Sequence, residues 1–454
     1  MSRLVQWRRV LVSAALLVPL VGTLTAARGD QADLAQVHQD AGVSSNHRSG
    51  HSGTCQQNTS VTPTVEEQRL ISPSASGGPS VGAQILAASG FDQVTTTFGT
   101  ELCRTTSLGQ ARRLVEDQGT NLWNLAVARA QGNVAKQGTL AGNDDRPLYW
   151  ARLSMTLSLR RWTPTFSLRS GDRAGVEDLL ERSTRGMTSA SFRSHSGVHR
   201  VFISGFDPFF LDVDPRQGNP SGAVALALDG RRWTASNGET FEAQTVVFPV
   251  RYADFDHGMA EDVFRPVLTP GTSHSAEFYA TVSQGRPGLF DVELFNGRRR
   301  STTAPDNLNA QGGGTATAPV VFPNVGPGPE FVPTTLPVAQ LFMGAVGPYP
   351  VRLHSSVVEM QAGETTPTTM PDGPTRGGVA VEGGGGGYLS NEIAYRATLL
   401  RDTLHTHTYG GHIHTPVLDF GPGNTSALTD PTFEHNRTQM IDELRSMIES
   451  MVLR

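Results

Sequence analysis

Residues 200–228 read RVFISGFDPFFLDVDPRQGNPSGAVALAL, and they hold the two elements that decide the fold. Arg200 to Ser204 is a short apolar run ending at Gly205, the pattern of a buried strand. Ser221 to Leu228 has the apolar spacing of a helix. The alternation continues downstream, with a strand over Thr245–Val250, a helix over Ala260–Leu268 and a strand over Glu277–Val282. The chain closes on an amphipathic helix, Thr438–Val452, whose Met440, Ile441, Leu444, Met447, Ile448 and Met451 share a face. Strands alternating with helices predict an α/β domain over residues 199–454, with helices on both faces of one sheet. In such sheets, sites form at the carboxyl ends of the strands.

The rest of the chain bounds what that domain does. At 454 residues, two domains are the expectation. A net charge of −5 with 17% charged residues carries no electrostatic footprint for nucleic acid. Arg3, Arg8 and Arg9 precede an apolar stretch from Val10 to about Leu24, and Thr25-Ala26-Ala27 offers a small-residue cleavage site. Residues 1–27 therefore read as an export signal, weakly of twin-arginine type, and the expected location is secreted or extracytoplasmic. Ser13, Pro19 and Gly22 interrupt the stretch, which argues against a stable membrane span.

Residues 28–80 are rich in Ser, Thr, Gly, Gln and His and read as a disordered linker. Residues 81–198 read as a small helical accessory region. One helix is expected from a Thr120 cap to Gly132. A second starts at Asp144-Asp145 with Pro147 in its first turn, and places Leu148, Ala151, Met155, Leu159 and Trp162 on one face. A third centres on Val176, Leu179 and Leu180. The two cysteines, Cys55 and Cys103, are expected to pair in an exported protein. The Gly/Pro/Thr-rich stretches Gly312–Pro329 and Gln361–Gly378 read as surface insertions.

Chemistry concentrates near the C-terminus. Gly383–Arg396 reads GGGGGYLSNEIAYR, so a glycine run leads into Ser390 at a helix start. Glycines there let the backbone crowd a ligand, and the first helical N–H groups face it. Without a following Lys the run is not a phosphate loop. HTHTYGGHIH carries His405, His407, His412 and His414, but no carboxylate or cysteine stands at standard ligand spacing, and no metal is assigned. Asp207 and Asp256 read as turn or surface residues.

In order, the α/β region carries GFDPF (205–209), NPS (219–221), FPV (248–250), SQGRPG (283–288), Glu293, PDN (305–307), TTLP (334–337), GGGYLSN and GGHIHTP (410–416). This series resembles the pyroglutamyl peptidase I (pyrrolidone-carboxylate peptidase) family from about Val201 to Arg454. The resemblance implies a three-layer α/β/α sandwich with a mostly parallel or mixed sheet, and a hydrolase that removes N-terminal pyroglutamate from peptides without a cofactor. It places Ser390 where the family has its nucleophilic Cys. His414 matches the His of a Gly-Phe-Ile-His-Val-Pro motif, and Glu293 is the acidic partner. Phe206 and Phe209 match the aromatics around the lactam ring, Asn219 and Gln284 polar residues near it, and Tyr388 with Leu389 its apolar wall. The family commonly forms tetramers, so a homo-oligomer stays open.

Two departures bear on activity. A serine hydroxyl needs concerted base help that a thiolate does not. Thr303 stands where the family carries an arginine that assists the oxyanion, with Arg298, Arg299 and Arg300 nearby. Three outcomes follow: a Ser-based pyroglutamyl peptidase, a pseudoenzyme that binds pyroglutamyl peptides without cleaving them, or an esterase or amidase of other specificity.

Overall fold

Strand β1, Val198–Phe206, lies inside a seven-stranded sheet, beside its central strand, in a computed structural model that describes residues 57–193, 196–361 and 363–452. The expected export signal at 1–27, most of the expected linker at 28–80 and Cys55 lie outside the described residues. Cys103 is disulfide-bonded. The other strands are β2 (Arg232–Thr234), β3 (Thr240–Phe248), β4 (Phe278–Gln284), β5 (Phe290–Glu293), β6 (Val351–His354) and β7 (Tyr409–Thr415). Their spatial order is β6-β5-β7-β4-β1-β3-β2. β1 pairs in parallel with β3 and β4, β4 with β7, and β5 with β6, whereas β5–β7 and β2–β3 are antiparallel. The sheet is mixed, as expected.

Alternation along each strand sends its two sets of side chains to two different cores. Val201, Ile203, Ala280, Val282, Val292 and Ile413 join one core with helices Pro220–Leu228 and Pro431–Ser450. Phe202, Val246 and Tyr279 join the other with helices Met259–Leu268 and Leu389–Thr403. Helices therefore cover both faces, and the Ser390 helix lies on the second. The C-terminal helix begins earlier than its apolar stripe suggests, at Pro431, because Asp430 caps it by accepting from Phe433 N.

Among the described residues six helices precede the sheet: α1 (Val65–Ile71), α2 (Val81–Ser89), α3 (Phe91–Leu102), α4 (Leu108–Ala130), α5 (Arg146–Arg161) and α6 (Ser170–Ser183). Two expectations change here. The stretch read as linker contains α1, which a capping box starts: Thr64 Oγ1 accepts from Glu67 N, and Glu67 accepts from Thr64 N. Reading that stretch by composition overlooked a local cap. Thr120 is not a cap either. It sits mid-way along α4, which begins one residue after Ser107, whose side chain accepts from Gln110 N. Helix α5 starts at the expected place, with Asp145 as N-cap and Pro147 in its first turn. Its expected face is buried throughout.

The helical region packs directly on the sheet domain. Ala225 and Leu226 of the helix Pro220–Leu228, together with Val247 of β3, belong to the same apolar core as Trp123, Trp150 and Leu180. All nine residues of that helix are buried, between the sheet on one side and the helical region on the other. No described helix is long and apolar enough to cross a membrane.

Candidate active site

The helix Leu389–Thr403 starts without a side-chain cap, so N–H groups of its first turn are left for a ligand. Asn391 holds that turn in place: its Oδ1 accepts from Gly297 N and its Nδ2 donates to Gly297 O, both at 2.8 Å. Glu392 adds a buried pair with Arg300 at 2.6 Å. The glycine run is a packed loop. A Cβ on Gly384 would stand 2.0 Å from Glu293 Oε2, so only glycine lets the loop lie against that carboxylate.

Ser390 lines a cavity of about 70 Å³ together with Phe206, Phe209, Asn219, Gln284, Tyr388 and Leu389. All six residues expected to contact substrate thus meet at one cavity beside the expected nucleophile. Their polar groups are partly committed already. Asn219 Oδ1 accepts from Ser221 N and Oγ, and its Nδ2 donates to Asp207 O at 2.9 Å, so this amide holds the GFDPF turn. Gln284 Oε1 accepts from Leu418 N at 3.3 Å. Tyr388 donates to Pro305 O.

The expected base and its carboxylate also meet. Glu293 Oε1 accepts from His414 Nδ1 at 2.7 Å, at the junction of β5 and β7. Its other oxygen faces His354 Nδ1 at 2.6 Å. Burial opposes the charge on Glu293, but the hydrogen bonds from His354 and His414 outweigh it and hold the carboxyl down at about 2. His414 is seated against Gly285, where an added Cβ would fall 2.6 Å from its own Cβ. Ser390 Oγ, however, donates to Gly385 O at 2.9 Å, and His414 Nε2 lies 3.4 Å from His412 Nε2. The serine and the base are not hydrogen-bonded to each other in this structure.

The arginines near Thr303 serve other ends. Arg298 donates to the carbonyls of Gly326 and Gly328, Arg299 pairs with Glu330, and Arg300 with Glu392 and Asp256. None of them lines the cavity. Asp256 is thus a salt-bridge partner. Asp207 is 2% exposed rather than a surface turn, because Arg152 of α5 and Arg185 after α6 both pair with it. Sequence reading overlooked this because both partners lie in the other region of the chain.

Among residues with ligand-type atoms, Asp291, Glu293 and His354 cluster within 4.8 Å. Arg286 and Arg352 already bracket Asp291 at 3.0 and 2.7 Å, and imidazole nitrogens occupy both oxygens of Glu293. The cluster is charge-balanced as it stands, and we assign it no metal. His405 and His407 are exposed, apart from the buried His412 and His414.

His354, Asp291, Ser283 and the buried role of His412 escaped the sequence reading. Their signal is a polar–apolar–polar triplet in three adjacent strands: Thr281-Val282-Ser283, Asp291-Val292-Glu293 and His412-Ile413-His414. The central Val282, Val292 and Ile413 enter one core, which leaves the flanking polar side chains on the opposite face.

The PA0049 N-terminal domain family matches residues 45–181, and the PA0049 C-terminal domain family matches residues 200–329 and 351–419. The uncharacterized protein PA0049 of Pseudomonas aeruginosa is 31% identical over 87% of this chain and 90% of its own. The chain belongs to the PA0049 family. Among solved structures, a pyrrolidone carboxyl peptidase variant from Pyrococcus furiosus is 17% identical over 56% of this chain and 98% of its own, with a TM-score of 0.36. Pyroglutamyl peptidase I of Bacillus amyloliquefaciens is 18% identical over 55% and 97%, with a TM-score of 0.35.

Proposed function

We propose that this PA0049-family protein is a serine amide hydrolase that removes N-terminal pyroglutamate, or a similar lactam cap, from peptides. What carries the reading is the cavity of about 70 Å³ in which Ser390, at an uncapped helix start, meets two phenylalanines, Tyr388-Leu389 and two amide side chains. A small pocket with apolar walls and a few polar groups suits one flat lactam ring rather than a long side chain. The ionised Glu293 on His414 Nδ1 leaves Nε2 as the basic atom.

Ser390 Oγ would attack the pyroglutamyl carbonyl carbon while His414 Nε2 takes the hydroxyl proton. N–H groups of the first helical turn, that of Ser390 among them, would receive the oxyanion. The proton then passes to the leaving amine nitrogen as the C–N bond breaks. Water hydrolyses the resulting ester with the same residues in reverse roles. For this, Ser390 Oγ must leave Gly385 O and His414 Nε2 must accept from it.

Turnover of a pyroglutamyl arylamide by the purified protein tests the reading. S390A is expected to lower kcat at least ~10³-fold. Full activity in S390A, or no turnover by the native protein, overturns it. One observation favours a pyroglutamyl-peptide-binding pseudoenzyme instead: the nucleophile and base are turned away from each other, onto Gly385 and His412. That reading predicts binding of pyroglutamyl peptides without cleavage.

A further inference from the structure

Two imidazoles share the site, and the mechanism above uses only one. His412 and His414 stand two apart on β7, so they project from one face of the sheet. Their Nε2 atoms are 3.4 Å apart, and the rings meet edge to face at 4.5 Å between centroids. Neighbouring hydrogen bonds assign both tautomers. The ionised Glu293 accepts from His414 Nδ1–H, so His414 Nε2 carries a lone pair. Thr281 Oγ1 lies 3.2 Å from Gly411 O and 2.8 Å from His412 Nδ1, and the arrangement taken here has its hydroxyl donating to the carbonyl and accepting from His412 Nδ1–H. His412 Nε2 is then a lone pair too, and takes the hydroxyl of Ser283 at 2.9 Å. The two Nε2 lone pairs meet with only the Ser283 hydroxyl proton between them, and that hydroxyl must give way before His412 Nε2 accepts from His414. Adding one proton turns that repulsion into an N–H···N hydrogen bond.

We propose that His412 and His414 work as a one-proton acceptor, in which His412 Nε2 receives a hydrogen bond from the protonated Nε2 of His414 and so holds the imidazolium of the base. Its use in turnover rests on the hydrolase reading, but its existence in the resting protein does not. During reaction the proton from Ser390 Oγ becomes the N–H of His414 Nε2, Glu293 balances its charge, and the N–H turns between His412 Nε2, which holds the imidazolium, and the leaving amine nitrogen, which takes the proton as the C–N bond breaks. His412 starts and ends neutral. Burial, reinforced by His414, holds His412 well below the ordinary imidazole range, in keeping with one proton for the pair. The charged and titratable groups facing the two rings are Glu293 and Asp291 from β5, with His354 and Arg352 of β6 and Arg286 paired to those carboxylates. Arg401 reaches the start of β7 at Gly410 O from the Ser390 helix, and β4 contributes only the hydroxyls of Thr281 and Ser283.

The test is a pH titration of the histidine ring nitrogens by ¹⁵N NMR, without substrate, on the native protein, H412F and S283A. Phenylalanine is the residue that the resembled Gly-Phe-Ile-His-Val-Pro motif carries at that place. H412F is expected to lower the His414 midpoint by about one unit or more, and the acid limb of the kcat/KM profile should move down with it. S283A frees the His412 lone pair for the shared proton and is expected to raise the midpoint. A His414 midpoint unmoved in both variants overturns the proposal, and if H412F does not fold, S283A decides alone. A midpoint that shifts in a protein without turnover keeps the imidazole pair and sinks the hydrolase reading.

Discussion

Two buried charge clusters each touch the lining of one cavity, through Asn219 and through Ser283, and are built from different chemistry. At the junction of the helical region with the sheet, Arg152 and Arg185 pair with Asp207, Arg185 and Arg251 with Glu181, and Arg251 with Glu66. At the site, Glu293 holds His414 and His354, and His412 completes the row. Both clusters are nearly dry. Guanidinium groups keep their charge at every pH the folded protein meets, whereas an imidazole exists as either a neutral or a charged ring. The first cluster can therefore only hold: it fixes the turn between Phe206 and Phe209, with Asn219 Nδ2 on the carbonyl of Asp207. On the proposed reading, the second can hold and also move a proton.

The comparison breaks most visibly at Glu293. E293Q keeps the size and one acceptor but removes the charge that balances a protonated His414. On the proposed reading, kcat should fall by about 10³–10⁴-fold, with little change in KM. An E293Q protein within tenfold of native kcat would make the site cluster another inert clamp. R152M probes the other side. Removing one partner of a buried pair leaves Asp207 short of charge compensation, at a cost of ~3–5 kcal/mol. Denaturant unfolding should show that loss. In the folded fraction KM should rise while the pH profile stays where it is, since no titrating group was touched. A displaced pH profile in R152M would mean that the two clusters are electrostatically one.

The two regions also differed in how far their sequences could be read. Strand and helix alternation from Val201 onward is local, and the polar residues that line the cavity stand in short motifs, so the sheet and the cavity were legible. Contacts between distant segments were not. Nothing in GFDPF announces that Asp207 is neutralised by Arg152, 55 residues earlier. His354 meets Glu293 only because β6 pairs with β5 in register, His354 opposite Glu293, at the edge of the sheet. Helix α1 was hidden by its surroundings, because a composition rich in small polar residues masks a capping box.

Asp145 sharpens the comparison with the smallest expected effect, because it is a junction carboxylate whose side chain makes no ion pair among the described residues. It is 4% exposed, its Oδ2 accepts from Asn219 N, and its Oδ1 has no partner. Burial, followed by repulsion from Asp144, pushes its carboxyl up from 3.8 to about 7. A carboxyl raised in the folded state favours folding fully below 3.8, and that contribution is lost as pH rises through about 7. Glu293 has the opposite sign. Lowered from 4.5 to about 2, it contributes fully above 4.5 and loses its contribution as pH falls towards 2. D145N removes the first dependence while keeping an acceptor for Asn219 N. It is expected to stabilise the protein by roughly 1–3 kcal/mol at pH 8 and by much less at pH 5, measured by denaturant unfolding at the two values. Equal effects at both pH values would show that Asp145 is ionised throughout, and that the junction holds its loop with fixed charge alone.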